Sequence, residues 1–237
     1  MALREAIRTY HDLLTDELAA ESQGQLEDQM QLRGLYFGTR PLCTVLRPRF
    51  LTPDQYIFLR RSIRPLLRAF EKISELAVRD AAFCAQFGLV DWEEELIKHE
   101  PKYRGHTPLT RLDAFYVTDN SELKFTEYNA EVPAASAYND VLNDVFYGLP
   151  VMGEFLRQYA VRPLPTRHSV LHVLLDAYRQ SGGTHRPQIG ILDWNEVPTR
   201  SEFELFMQYF ASQGIEAKIV DPREVTYENG RLHHEGF

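Results

Sequence analysis

The sequence predicts a mixed α/β chain, α+β in its order of elements, and three observations carry that prediction. Apolar residues recur at helical spacing through the N-terminal part, as far as Gly88. From Arg111 the period shortens to two, in "RLDAFYVT" and "ELKFTEYNA". From Pro187 strand-like and helix-like runs alternate. With 237 residues, 44% of them hydrophobic, the chain can bury a sizeable core, as one large domain or two small ones. The change of pattern suggests residues 1–165 as a helical region with a β-hairpin and residues 166–237 as a small α/β unit.

Taken in order, Leu3 to Ala20 reads as an amphipathic helix, and the polar stretch "ESQGQLEDQMQ" after it as a mobile connection. Thr52, Pro53 and Gln55 form a helix start: a cap, a proline at the first position and a capping-box partner. That helix runs towards Gly88 and should kink or split at Pro65, which lacks an N–H and crowds the preceding turn. "DWEEELIKHEP" adds a short acidic helix, and Gly182-Gly183 a helix stop. "PQIGILDW" and "IEAKIVD" read as strands around the helix "TRSEFELFMQYFASQG", which has a Thr199/Glu202 capping box and a terminal Gly214. Asn229-Gly230 marks a hairpin turn.

Twenty-six Lys and Arg against 34 Asp and Glu give a net charge of −8. This argues against a nucleic-acid or anionic-membrane surface and suits cationic partners, metal ions included. Cys43 and Cys84 form neither a ligand cluster nor a disulfide framework, so the cytoplasm is the expected compartment, and Cys84 reads as a buried small hydrophobe. The N-terminus has no signal-peptide pattern, and no long apolar run follows. Neither cysteine is near a histidine in sequence, and the neighbours His233-His234 read as exposed hairpin residues, so no zinc site is expected. Arg40, Arg47 and Arg49 form a basic cluster, and Asp193 and Trp194 end an apolar strand where α/β sheets place functional groups or helix caps.

The hairpin across "DNS" holds the chemistry. With a loop of three or five residues, Asp113 faces Glu127 and Arg111 faces Asn129, all four on one side of the sheet. A loop of two or four residues would shift the register by one and disperse them. Two opposed carboxylates repel unless something positive lies between them. A divalent cation would serve, since Asp, Glu and an Asn carbonyl are the hard oxygen donors that suit magnesium. Arg111 could equally neutralise both acids in a surface ion-pair network.

"RLDAF" followed by "FTEYNAEVPAAS" resembles the motif pair of glutathionylspermidine synthase-like, circularly permuted ATP-grasp amide ligases, and more distantly of eukaryotic glutathione synthetase. The resemblance implies the N-terminal part of an ATP-dependent carboxylate–amine ligase, acting through an acyl phosphate. It implies Asp113, Glu127 and Asn129 as magnesium ligands, Glu127 and Asn129 also facing the ATP cofactor, and Arg111 at the reaction centre. Glu131 and Ser136 fall in the segment that shapes the substrate pocket; Glu131 stands where the family pattern has Asp, and "AASAYND" departs further. The β-α-β-hairpin order after Pro187 is similar to the Rossmann-like pre-ATP-grasp unit of these ligases. Partners implied are a small-molecule carboxylate and an amine, with no nucleic acid and no membrane. No Gly-rich phosphate loop occurs, and the family's phosphate-gripping lysines would lie beyond Phe237, so the expectation is a fragment that is inactive alone. The rival readings are a non-catalytic binding module that keeps the hairpin for stability, and a glycosidase-like carboxylate pair.

Overall fold

The computed structural model describes residues 2–99, 108–117 and 121–237. The chain opens with helices α1 (Ala2–Leu13) and α2 (Asp16–Leu32) and the short strands β1 (Tyr36–Phe37) and β2 (Arg40–Pro41). Helices α3 (Pro53–Arg79), α4 (Ala81–Cys84) and α5 (Asp91–Leu96) follow, then strands β3 (Arg111–Val117) and β4 (Glu122–Asn129). Helices α6 (Ser136–Gly148), α7 (Pro150–Leu156) and α8 (Arg167–Gln180) lead to strand β5 (Gln188–Leu192), helix α9 (Arg200–Ser212) and strand β6 (Glu216–Val220). Strands β7 (Thr226–Glu228) and β8 (Arg231–His233) end the chain. The fold class is mixed α/β, as expected. No helix among the described residues is long and apolar enough to cross a membrane.

Two compact units organise these elements: residues 1–50, 134–172 and 184–237 form one, and 51–133 with 173–183 the other. The 165/166 boundary inferred from sequence rests on local pattern alone and falls inside the first unit.

The first unit has an aromatic and aliphatic core. Tyr10, Phe50 and Phe155 meet at ring-centroid distances of 5.1 to 5.5 Å, and Leu26, Met30, Val141, Phe146, Met152 and Leu205 are buried around them. The stretch expected to be a mobile connection is helical instead. Ser22, Leu26 and Met30 recur every four residues and are all buried, so one face of α2 is held by the core while polar side chains and Gly24 face solvent. Thr15 caps this helix by accepting the Leu18 N–H, which separates it from α1. Strands β5 and β6 pair in parallel with α9 as the crossover. The αL turn after α9 falls on Gly214 (φ 72°) and the β7–β8 turn on Asn229 and Gly230 (φ 52° and 76°), as their sequences predict.

The second unit is built on α3. Its capping box is intact: Thr52 Oγ1 accepts from the Gln55 N–H, and the Gln55 side chain accepts from the Thr52 N–H. Pro65 does not split the helix, which runs unbroken to Arg79. Pro65 and Arg61 are both exposed, so the Arg61 carbonyl deprived of its helical partner can turn to water.

Candidate functional site

The hairpin β3–β4 presents two unlike faces. On one, Tyr128 stacks on Phe70 of α3 at 4.0 Å and Tyr116 on Phe58 at 5.8 Å, so this face is fixed to the helix. Side chains alternate along a strand, so Arg111, Asp113, Phe115 and Val117 stand on the other face of β3.

Near the turn the register differs from the one expected. Val117 pairs with Glu122, Tyr116 with Leu123, Phe115 with Lys124 and Ala114 with Phe125. Residues 119 and 120 of the anticipated turn lie outside the described residues. Continued unchanged, this ladder would set Asp113 against Thr126 and Arg111 against Tyr128. A bulge between Asp113 and Ala114 absorbs Thr126 and restores the predicted pairs: Asp113 opposite Glu127, and Arg111 opposite Asn129. Thr126 itself donates through Oγ1 to the Asp113 carbonyl at 3.1 Å, which helps anchor the bulge.

Within the cluster the positive charge on Asp113 is supplied by Arg111. Its Nε donates to Asp113 Oδ1 at 2.8 Å and a terminal nitrogen to Oδ2 at 3.3 Å, while Asn129 Nδ2 approaches Oδ2 at 3.5 Å. Arg111 and Asp113 are 40% and 35% exposed, so water competes for this pair. Glu127, opposite, is exposed. Among the described residues no three His, Cys, Asp or Glu side chains come together. The candidate donor set is therefore two carboxylates and one amide, chemically suited to a hard cation that keeps several waters. Engaging it requires Arg111 to give up its hold on Asp113 and the Asn129 amide to turn its oxygen inward.

Two residues on this face drew no attention in the sequence. Lys124 pairs with Phe115 across the ladder and holds Glu122 at 2.7 Å. Phe115 is 72% exposed. Their signal was available in the alternation of β3, once the register was known. Of the two residues expected to contact substrate, Glu131 is exposed just past the end of β4 in the second unit. Ser136 belongs to the first unit, opens α6, and accepts from Thr166 Oγ1 through its carbonyl at 2.8 Å.

The first unit holds three buried carboxylates. The expected Thr199/Glu202 capping box is not formed, since Thr199 makes no side-chain cap bond, and Glu202 is engaged elsewhere. It reaches the start of α6, where it accepts the Ala135 N–H on both oxygens (2.8 and 2.9 Å), the Ala137 N–H at 2.9 Å and the Tyr138 N–H at 3.4 Å. This holds Ala135 at φ 96°, a left-handed conformation costing a non-glycine residue about 1–3 kcal/mol. Asp140 likewise caps α8, accepting from the N–H groups of Thr166 and Arg167. Asp221, at the end of β6, accepts from Arg223 Nε at 2.7 Å and from the N–H groups of Arg223 and Asn195. The Arg223 side chain holds the Asp221 carboxyl far below the usual range, against the opposing effect of burial. Asp193 accepts the Trp194 N–H, and the Trp194 ring lies 5.1 Å under the Arg223 guanidinium. Asp221 is thus satisfied within the fold, and Asp193 accepts the amide that follows it at the end of β5. A concavity lined by Arg186, Pro187, Gln188, Gly214, Ile215 and Glu216 lies at the opposite, amino ends and contains none of the predicted residues.

No protein-family model matches the chain, and no curated protein matches it.

Proposed function

We propose that this chain carries the magnesium- and nucleotide-facing hairpin of an ATP-dependent carboxylate–amine ligase of the circularly permuted ATP-grasp type. One observation supports the reading above all: Asp113 stands opposite Glu127 and Arg111 opposite Asn129, on the hairpin face turned away from α3. Arg111, Asp113, Glu127 and Asn129 of the resembling motif pair thus share one face, with an exposed phenylalanine and a lysine beside them.

In this reading Asp113, Glu127 and Asn129 hold Mg2+, which when bound neutralises phosphate charge on ATP. Arg111 exchanges Asp113 for the anionic reactants and draws together a substrate carboxylate and the terminal phosphate. The carboxylate oxygen attacks phosphorus and ADP leaves, giving an acyl phosphate. An amine then attacks the acyl carbon, phosphate departs, and the amine loses a proton as the amide forms. The contribution of Arg111 is positioning and charge neutralisation, in line with what phosphoryl transfer requires of a protein. Glu131, in the same unit as the hairpin, is the proposed substrate contact.

A second reading rests on the Arg111–Asp113 ion pair. An arginine already neutralising the acid suits a hairpin stabilised for binding or interaction without catalysis. Glu127→Gln separates the two in the intact gene product. On the ligase reading, phosphate release from ATP that depends on both a carboxylate and an amine falls by orders of magnitude, and the melting temperature stays level or rises. A destabilised variant with unchanged phosphate release would overturn it.

A further inference from the structure

Helix α8 begins with a pair of histidines at the spacing of one helical turn, His168 and His172, which the sequence reading passed over when it expected no zinc site. Both are exposed, both lie in the first unit, and their rings are neighbours: the centroids are 6.0 Å apart and the planes 85° to each other. Residues four apart on a helix lie one above the other, so the two imidazoles point to the same patch of solvent.

We propose that His168 and His172 form a two-imidazole site for a borderline transition-metal ion of the Zn2+ class. Metal–nitrogen bonds of about 2.0–2.1 Å place the centroids of two imidazoles on one tetrahedral ion at roughly 5–6 Å, close to the separation already present. Rotation about χ2, a soft torsion for histidine, is available to each ring to turn a nitrogen toward a shared ion. Among the described residues, His168 Nε2 lies 3.3 Å from Ser169 Oγ, a solvent-exposed contact that a metal ion can replace. Imidazole pairs one turn apart on a helix are a recognised zinc-binding arrangement, and nitrogen donors select such ions over Mg2+. The chain's net charge of −8 favours any cation at its surface. Two positions on the ion remain for water or for a ligand brought by a substrate or partner, as in sites that are not closed by protein alone.

This site is independent of the hairpin and of the ligase reading, and it differs from that site in ion preference. Calorimetric titration of the intact 237-residue chain with Zn2+ tests it, at neutral pH and with Mg2+ in excess throughout. One ion is expected to bind per chain, undisturbed by Mg2+. The single variants His168→Gln and His172→Gln should each weaken binding by about tenfold or more, because the second imidazole no longer acts at high local concentration. Both positions are exposed, and circular dichroism on each variant checks that α8 still forms. Zn2+ binding that survives in the double variant H168Q/H172Q would overturn the assignment, as would the absence of Zn2+ binding to the unaltered chain under excess Mg2+.

Discussion

Glu202→Ala removes a carboxylate that is 1% exposed and leaves the amides at the start of α6 without their acceptor. The Ala135 and Ala137 bonds, at 2.8 to 2.9 Å, carry most of the effect, and the Tyr138 bond at 3.4 Å adds less. Hydrogen bonds to a charged acceptor contribute about 1.5–3 kcal/mol each, so two give about 3–6 kcal/mol. Relaxation of Ala135 from its left-handed conformation returns about 1–3 kcal/mol of that, leaving a net loss of about 2–3 kcal/mol. For a chain of this size the melting temperature should fall by about 4–12 °C. Exchange of the Ala137 and Tyr138 amides with solvent should accelerate alongside. The control is Glu204→Ala on the same helix, exposed and 4.0 Å from Arg200, which should change stability by less than about 0.5 kcal/mol. Had Glu202 served Thr199 as a local cap, its removal would cost about 1 kcal/mol. A fall of less than about 4 °C in Glu202→Ala, with the α6 amides still protected, would therefore refute the reasoning.

Three further expectations concern charge and burial. The Asp221 carboxyl is held low in the folded chain, so below neutrality the unfolded chain binds more protons than the folded one; this contribution is whole above about pH 5 and fades as pH falls. Denaturant midpoints across the acid range should show that loss, and Asp221→Asn should flatten it. Burial pushes the Tyr10 hydroxyl up to about 12, with Arg47 opposing, so its contribution is complete below pH 10 and is lost as pH rises towards 12. Tyr10→Phe should remove that alkaline loss, while costing about 1 kcal/mol at neutral pH for the bond its hydroxyl donates to the Leu46 carbonyl; an unchanged alkaline profile would contradict the assignment. Arg111→Ala should change stability by no more than about 1 kcal/mol in thermal melts, since its partner Asp113 is a third exposed.

Features decided by neighbouring residues were legible in the sequence. The Thr52–Gln55 capping box, the Gly214 stop, the Asn229-Gly230 turn and the parallel strands around α9 depend on contacts within a few residues or on a strong local period. Features decided at a distance were not. Nothing in "ESQGQLEDQMQ" marks it as helical without the core that receives Ser22, Leu26 and Met30. Glu202 fits a capping box by spacing, yet the start of α6 offers it more N–H groups in a drier place than Thr199 does. The hairpin is the instructive case, because a uniform ladder from the observed turn end would have put Asp113 opposite Thr126. The predicted pairs arise through a bulge at a threonine, a residue that carries no bulge signal of its own. The ion pair from Arg111 to Asp113 was foreseen as one of two alternatives, and the exposed Phe115 on the same face was not foreseen.

The central claim is that Asp113, Glu127 and Asn129 form a site for a hard divalent cation, and Mn2+ is a paramagnetic substitute for Mg2+ that reports even weak occupancy. Amide spectra of the chain should be recorded with a small amount of Mn2+, with and without ATP. The account predicts selective broadening at Asp113 and from Glu127 to Asn129, strengthened by ATP, reversed by excess Mg2+ and lost in Glu127→Gln. Broadening that misses these residues, or that persists unchanged in Glu127→Gln, would contradict it.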